Sequence, residues 1–137
     1  MYSKAVLFVF ALVYIALGVW CWSMPVEVAG RVGFKLVGDS GVSEFQVVYG
    51  GLELAIGFFL LFCFKNAQYQ QAGLVFAVIS SACLFGVRTI SIALGGEFEA
   101  ITYRLWAAEL VIVILALSAW FTSNKSSTGV SAHGVDS

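Results

Sequence analysis

Three ionisable side chains, Glu53, Arg88 and Glu109, stand well inside long apolar runs, whereas Arg104 lies only three residues inside its run and can snorkel to the headgroups. Glu53 lies in "FQVVYGGLELAIGFFLLFCF" (45–64), Arg88 in "AGLVFAVISSACLFGVRTISIAL" (72–94) and Glu109 in "ITYRLWAAELVIVILALSAWF" (101–121). Two carboxylates and one guanidinium support a short list of chemistries. A guanidinium has five donors and can bridge two carboxylates as a clamp. A carboxyl that gains and loses a proton can relay it, or it can accept a hydrogen bond from a ligand's donor group. Tyr14 and Tyr49 add phenols to the same set. No nucleophile–base pair, metal-ligand spacing or nucleotide loop accompanies them, so the expectation is a protein that is not an enzyme. The single histidine, His133, has no acids nearby, and Cys21, Cys63 and Cys83 lack C-x-x-C spacing and sit in apolar runs. The cysteines read as small buried hydrophobes, and neither a metal nor another cofactor is expected.

These groups need elements to hold them. Hydrophobic residues make up 61% of the 137-residue chain and charged residues 11%. Soluble domains carry roughly 25% charged residues, so a soluble fold of this size has no way to hide the apolar surface. Together with "AVLFVFALVYIALGVWCW" (5–22), the three runs above make four segments near the ~20 residues that a membrane-crossing helix needs. In hydrocarbon the backbone must satisfy its own hydrogen bonds, which selects helices. The expected fold is therefore all-α, an integral membrane four-helix bundle over residues 1–121. From Thr122 to Ser137 the chain is Ser/Gly-rich and reads as a disordered tail. The first run is longer than a signal-peptide core and "CWSMPVE" is no small-x-small cleavage site, so it reads as a retained helix.

The connection "SMPVEVAGRVGFKLVGDSGVSE" (23–44) places Val26, Ala29, Val32 and Leu36 at helical spacing, with Glu27, Arg31 and Lys35 between them. This pattern predicts a short interfacial amphipathic helix, opened by Pro25 and ended by "GDSG" (38–41). Lys4, Lys65 and Lys125 flank the helices on one side; Arg31 and Lys35 lie on the other among several acids. On the count of basic residues, both termini are expected in the cytoplasm. There is no basic stripe, so nucleic acid is not an expected partner. The lipid bilayer is, together with other membrane subunits or further copies of the chain.

Depth ties the charges together. With 1.5 Å rise per residue, Glu53, Arg88 and Glu109 all fall about 9 to 12 Å below the outer face, and Tyr14 falls near them. The expectation is a buried Glu–Arg–Glu layer. Gln46, Tyr49, Gly50, Glu53 and Gly57 recur on one helical face, and Ser81, Phe85, Arg88 and Ile92 on another. Gly18, Gly50, Gly51 and Gly57 are the candidates for close helix packing. Two readings of the layer stay open: a clamp that fixes helix register, or a ligand or proton site. The function expected from this is an accessory subunit or a small binder of lipid-like ligands. The alternative is an oligomeric proton-coupled transporter using Glu53 and Glu109.

"YIALGVWCWSMPVEVAG", "VYGGLELAIGFFLLF", "GVRTISIALGG" and "AELVIVILAL" resemble the DUF4345 family of small four-helix bacterial membrane proteins. The likeness covers about residues 5 to 120. Tyr49, Gly50, Gly51, Arg88 and Glu109 correspond to its Tyr-Gly-Gly element, its helix-three arginine and the glutamate of its last apolar run. Where that family often has an arginine shortly before Tyr-Gly-Gly, this chain has Phe45 and Gln46. The resemblance implies the four-helix fold, a place in a bacterial inner membrane and no particular activity.

Overall fold

The computed structural model describes the backbone of residues 1–131 and the side chains of residues 1–124. It is all-α among the described residues: α1 (Tyr2–Ser23), α2 (Pro25–Arg31), α3 (Gly38–Phe45), a π-helical turn (Gln46–Gly51), α4 (Leu52–Lys65), a 3-10 turn (Ala67–Tyr69), α5 (Gln70–Ala93) and α6 (Ala100–Ser131). Four helical stretches are long and apolar enough to cross a membrane: Tyr2–Ser23, Gly38–Lys65, Ala67–Ala93 and Ala100–Asn124. Large apolar side chains such as Trp22, Phe58, Val87 and Phe121 are exposed on the outside of this bundle, as a lipid-facing surface requires. The α6 helix continues past Phe121 to Ser131. The remainder of the expected tail, 132–137, lies outside the described residues.

The connection after α1 differs from its expectation. Met24 leaves the helical region because Pro25 follows it, and Pro25 then opens α2. Gly33, at φ +81°, reverses the chain, and the Phe34 amide donates back to the Ala29 carbonyl at 2.8 Å. "GDSG" does not end the amphipathic helix. Gly38, at φ +63°, instead opens α3, with Asp39 in the first turn where the helix dipole favours a negative charge. The second span thus begins at Gly38 rather than at Phe45. Only glycine adopts these φ values without strain. Gly33→Ala is expected to lower stability by about 1–2 kcal/mol, while Gly30→Ala, whose added Cβ meets nothing within 4 Å, leaves it unchanged or raised. Thermal unfolding of the two variants in detergent checks this.

The helices pack unevenly. α1 lies along α4, and α5 along α6, whereas α4 and α5 touch much less. The main core sits at the end that carries the N-terminus and the α4–α5 turn. There Leu7, Leu60 and Leu74 are fully buried among Phe10, Cys63, Ala77, Ala116 and Ala119. Polar ties close the same end: Tyr2 Oη and Ser118 Oγ are 2.7 Å apart, Ser3 Oγ donates to the Ala119 carbonyl at 2.9 Å, and Gln71 Nε2 donates to Asn124 Oδ1 at 2.6 Å. At the other end, a small cluster of Cys21, Val28, Ala29 and Phe45 seats α2 and α3 as a cap.

Candidate functional site

Between the core end and the cap, α4 and α5 part and leave a cavity of about 640 Å³. Its walls come from four places. Tyr14 of α1 lies with Leu52, Glu53 and Ile56 of α4; Ser80, Cys83, Leu84, Val87, Arg88 and Ser91 of α5 face them; Val32, Phe98 and Thr102 close the cap end. Leu52, Leu84 and Val87 are exposed on the bundle surface, so the cavity opens on the flank between α4 and α5. A second, wholly apolar depression of about 240 Å³ follows the same seam toward the core end, lined by Ala55, Ile56, Phe59 and Phe76. Ile56 belongs to both, and the edge-to-face contact of Phe59 with Phe76 (centroids 5.2 Å apart) spans the seam there.

Arg88 and Glu109 form a bidentate pair. Arg88 Nε donates to Glu109 Oε2 at 2.8 Å, and Nη2 donates to Oε1 at 2.7 Å. This fork geometry joins α5 to α6 with two parallel charge-assisted bonds. Beside it, Trp106 Nε1 donates to Thr89 Oγ1 at 2.9 Å, and the Trp106 ring packs on Phe85. The pair is half-buried rather than buried: the Arg88 side chain keeps 30% exposure and Glu109 13%.

The expected Glu–Arg–Glu layer does not form. No ion pair joins Glu53 to Arg88 among the described residues. Glu53 Oε2 is buried and accepts no hydrogen bond. The physical reason lies in which helices meet: α5 packs closely on α6 and loosely on α4, so the cavity intervenes on the Glu53 side. Tyr14 lies with Glu53 and Arg88 in the cavity lining.

Tyr49 does not belong to this site. Its ring is stacked on Phe45 at 4.6 Å and lies 5.7 Å from Phe34, and the residue is exposed. The π-helical turn over Gln46–Gly51 explains the departure. Its wider turn breaks the four-residue spacing by which Tyr49 and Glu53 would share a face. Gln46 instead ties the two spans together, with Nε2 donating to the Trp22 carbonyl at 2.8 Å.

The four candidate packing glycines differ in what stands opposite them. An added Cβ at Gly18 would meet the Leu54 amide nitrogen at 2.8 Å, at Gly50 it would meet Trp22 Cβ at 3.1 Å, and at Gly57 it would meet Ile15 Cγ1 at 2.6 Å. At Gly51 an added Cβ would have only the Gln46 carbonyl oxygen of its own turn within reach, at 4.0 Å. Gly73 was not expected, yet a Cβ there would lie 2.6 Å from Cys63 Cβ. On α5 the cavity stripe is Ser80, Leu84, Val87, Arg88 and Ser91, one position off the expected Ser81 stripe. Ser81 is turned inward and donates to the Ala77 carbonyl at 2.6 Å. The signal was present in the sequence, since Ser80, Leu84 and Arg88 recur every four residues. Cys83 is exposed at the cavity wall, contrary to the expectation of a buried thiol, while Cys21 and Cys63 are buried.

Compared with known proteins, residues 2–120 match the family model described as a domain of unknown function, DUF4345. The match spans most of the chain, which therefore belongs to that family, as its sequence motifs imply. No curated protein and no solved structure matches it.

Proposed function

We propose that this DUF4345 member is a non-catalytic membrane protein that holds a lipid-like ligand in the flank cavity. The observation that supports this reading is the cavity itself. Its volume falls within the roughly 300–1,000 Å³ of small-molecule sites, and its walls are mostly apolar with a few convergent polar groups. The opening lies between exposed apolar side chains, so a ligand would enter from the hydrocarbon phase rather than from water. In this reading the chain resides in a bacterial inner membrane with both termini in the cytoplasm, where the exposed Lys4 and Lys65 lie at one end. At the other end the cation Arg31 is offset by Glu27, 2.8 Å away.

The competing reading is a proton-coupled transporter using Glu53 and Glu109. Both oxygens of Glu109 are engaged by Arg88, which leaves Glu53 as the one carboxylate of the pair free to exchange a proton. That asymmetry favours binding over relay. Proton flux in sealed vesicles that Glu109→Gln abolishes would reverse the preference.

Native mass spectrometry of protein released from lipid nanodiscs tests the binding reading. The expected spectrum carries an adduct with the mass of one amphiphile. Cys83→Trp places an indole in the cavity without disturbing a buried contact, because Cys83 is exposed. The adduct is expected to fall at least about fivefold in that variant, the indole taking up space the ligand needs. An adduct-free wild type, or equal retention by the filled variant, would sink the proposal.

A further inference from the structure

Resting on that reading, we propose that the cavity selects a single-chain amphiphile with a primary ammonium head, and that the carboxylate of Glu53 is its counter-charge. Three observations lead to this ligand class.

The first is an uncancelled charge. Glu53 and Arg88 both line the cavity. Arg88 is already neutralised by its two bonds to Glu109. Glu53 has no ion pair among the described residues. The site therefore carries one net negative charge, and charges at membrane depth are normally paired. Glu53 Oε2 is shut away without a hydrogen bond, so it is the charge of the carboxylate, not a bond to that oxygen, that draws the head. In a low-dielectric site such attraction stays strong over several ångströms. The same charge repels an anionic head.

The second is the hydrogen-bonding sense of the walls. A hydroxyl has one hydrogen to donate and two lone pairs that accept. Ser80 Oγ spends its hydrogen on the Ala77 carbonyl at 3.3 Å, and Ser91 Oγ on the Val87 carbonyl at 2.9 Å. Both serines line the cavity, and what they have left to offer is acceptors. Arg88, the strongest donor of the lining, directs Nε and Nη2 onto Glu109. A head suited to these walls brings donors. A primary ammonium brings three together with a positive charge. A quaternary ammonium brings the charge alone, and an alcohol brings one donor without charge. An amine also has a neutral form in which to enter from the hydrocarbon flank, which a quaternary head lacks.

The third is the continuation of the seam. The polar groups gather in the larger cavity, and the smaller depression beyond Ile56 offers no polar surface. A head near Glu53 therefore leaves its chain running along Ala55, Phe59 and Phe76 toward the core end. The two cavities have the order of an amphiphile, head then tail.

A matched series separates the possibilities: tetradecylamine, tetradecyltrimethylammonium, 1-tetradecanol and tetradecanoate. Each is titrated against the full chain in phosphatidylcholine nanodiscs and read by native mass spectrometry. The wild type is expected to prefer the amine over the alcohol about tenfold, the effect of one charge-assisted hydrogen bond. It is expected to prefer the amine over the trimethylammonium compound about fivefold, since the two share a charge and only the amine has N–H donors. Glu53→Gln keeps the size of the side chain and removes its charge. The amine-to-alcohol ratio is expected to fall to about one in that variant, with the alcohol still bound. Because Glu53 has no ion pair to lose, the variant is also expected to unfold at the same temperature as the wild type or above it. Equal binding of amine and alcohol to the wild type, or strongest binding of tetradecanoate, would overturn the ammonium assignment while leaving a chain-binding cavity in place. An amine preference that survives in Glu53→Gln would overturn the role of Glu53. Equal binding of the trimethylammonium compound would overturn the choice of a primary amine. Binding of none of the four would sink the cavity reading along with it.

Discussion

Arg88→Ala is expected to lower the stability of the bundle by about 3 kcal/mol, read as a fall in the thermal midpoint of Trp fluorescence in detergent. Removing one partner of a buried ion pair costs roughly 3–5 kcal/mol, because the remaining charge is left without compensation. Here the remaining charge is Glu109, only 13% exposed, on a helix that faces α5. The value belongs at the low end of the range because Arg88 keeps 30% exposure toward the cavity, so part of its desolvation is spared. The control is the double replacement of Arg88 and Glu109 by methionine. It deletes both charges at once and is expected to recover most of the loss, since the net contribution of such a pair against apolar residues is small. Arg88→Lys should fall between, because an ammonium has no planar fork to match the carboxylate with two parallel bonds. A single Arg88→Ala variant as stable as the wild type would mean that α5 and α6 are held by their apolar contacts alone.

The clamp was half legible in the sequence. The apolar runs are long, and each of the three charges lies well inside its run, so their depths could be read from residue rise alone. Depth, however, says nothing about azimuth. Glu109 and Glu53 stand equally deep by that measure, and only the helix neighbours decide which of them reaches Arg88. That choice comes from packing: α5 lies against α6 and parts from α4. The periodicity argument for Tyr49 failed for a different reason. It assumes an unbroken α-helix from Gln46 to Gly57, and the π-helical turn inserts a wider step between Tyr49 and Glu53. The two glycines at 50 and 51 lie inside that turn, but nothing in their spacing marks it. "GDSG" was misread because a run of turn-forming residues can open a helix as readily as close one. Asp39 after Gly38 was the available sign of an N-terminus. The cavity was the least legible feature, since it is a gap between two helices and no residue type announces a gap.

The second large effect is expected at Gly18, where alanine should cost about 1–3 kcal/mol, the range for overpacking a tight contact. Gly18 faces the second span at a point where backbone atoms stand opposite, with the Leu54 side chain beside them, its Cγ 2.8 Å from an added Cβ. A Cβ there would lie 2.8 Å from the Leu54 amide nitrogen and 2.9 Å from the Gly50 carbonyl oxygen. Neither atom can rotate away, so relief requires α1 and α4 to move apart. That separation would also loosen the contacts of Gly57 with Ile15 and of Gly50 with Trp22, because all three belong to one seam along α1. In a bilayer the association of such helices rests on close packing, and the seam has no hydrophobic drive to restore it. Gly51→Ala provides the comparison. It lies one residue from Gly50, yet its Cβ would meet nothing nearer than the Gln46 carbonyl at 4.0 Å, so its stability should match the wild type or exceed it slightly. Thermal unfolding of the two variants in the same detergent decides the matter. If Gly18→Ala unfolds with Gly51→Ala, then α1 and α4 have room that the close approach denies. The effect should reach the cavity as well. Tyr14 stands one turn before Gly18 on α1, and Glu53 next to Leu54 on α4, so a wedge at this crossing moves two of the cavity's polar walls apart. Gly18→Ala is therefore expected to weaken ligand retention as well as stability, whereas Arg88→Ala disturbs the opposite wall.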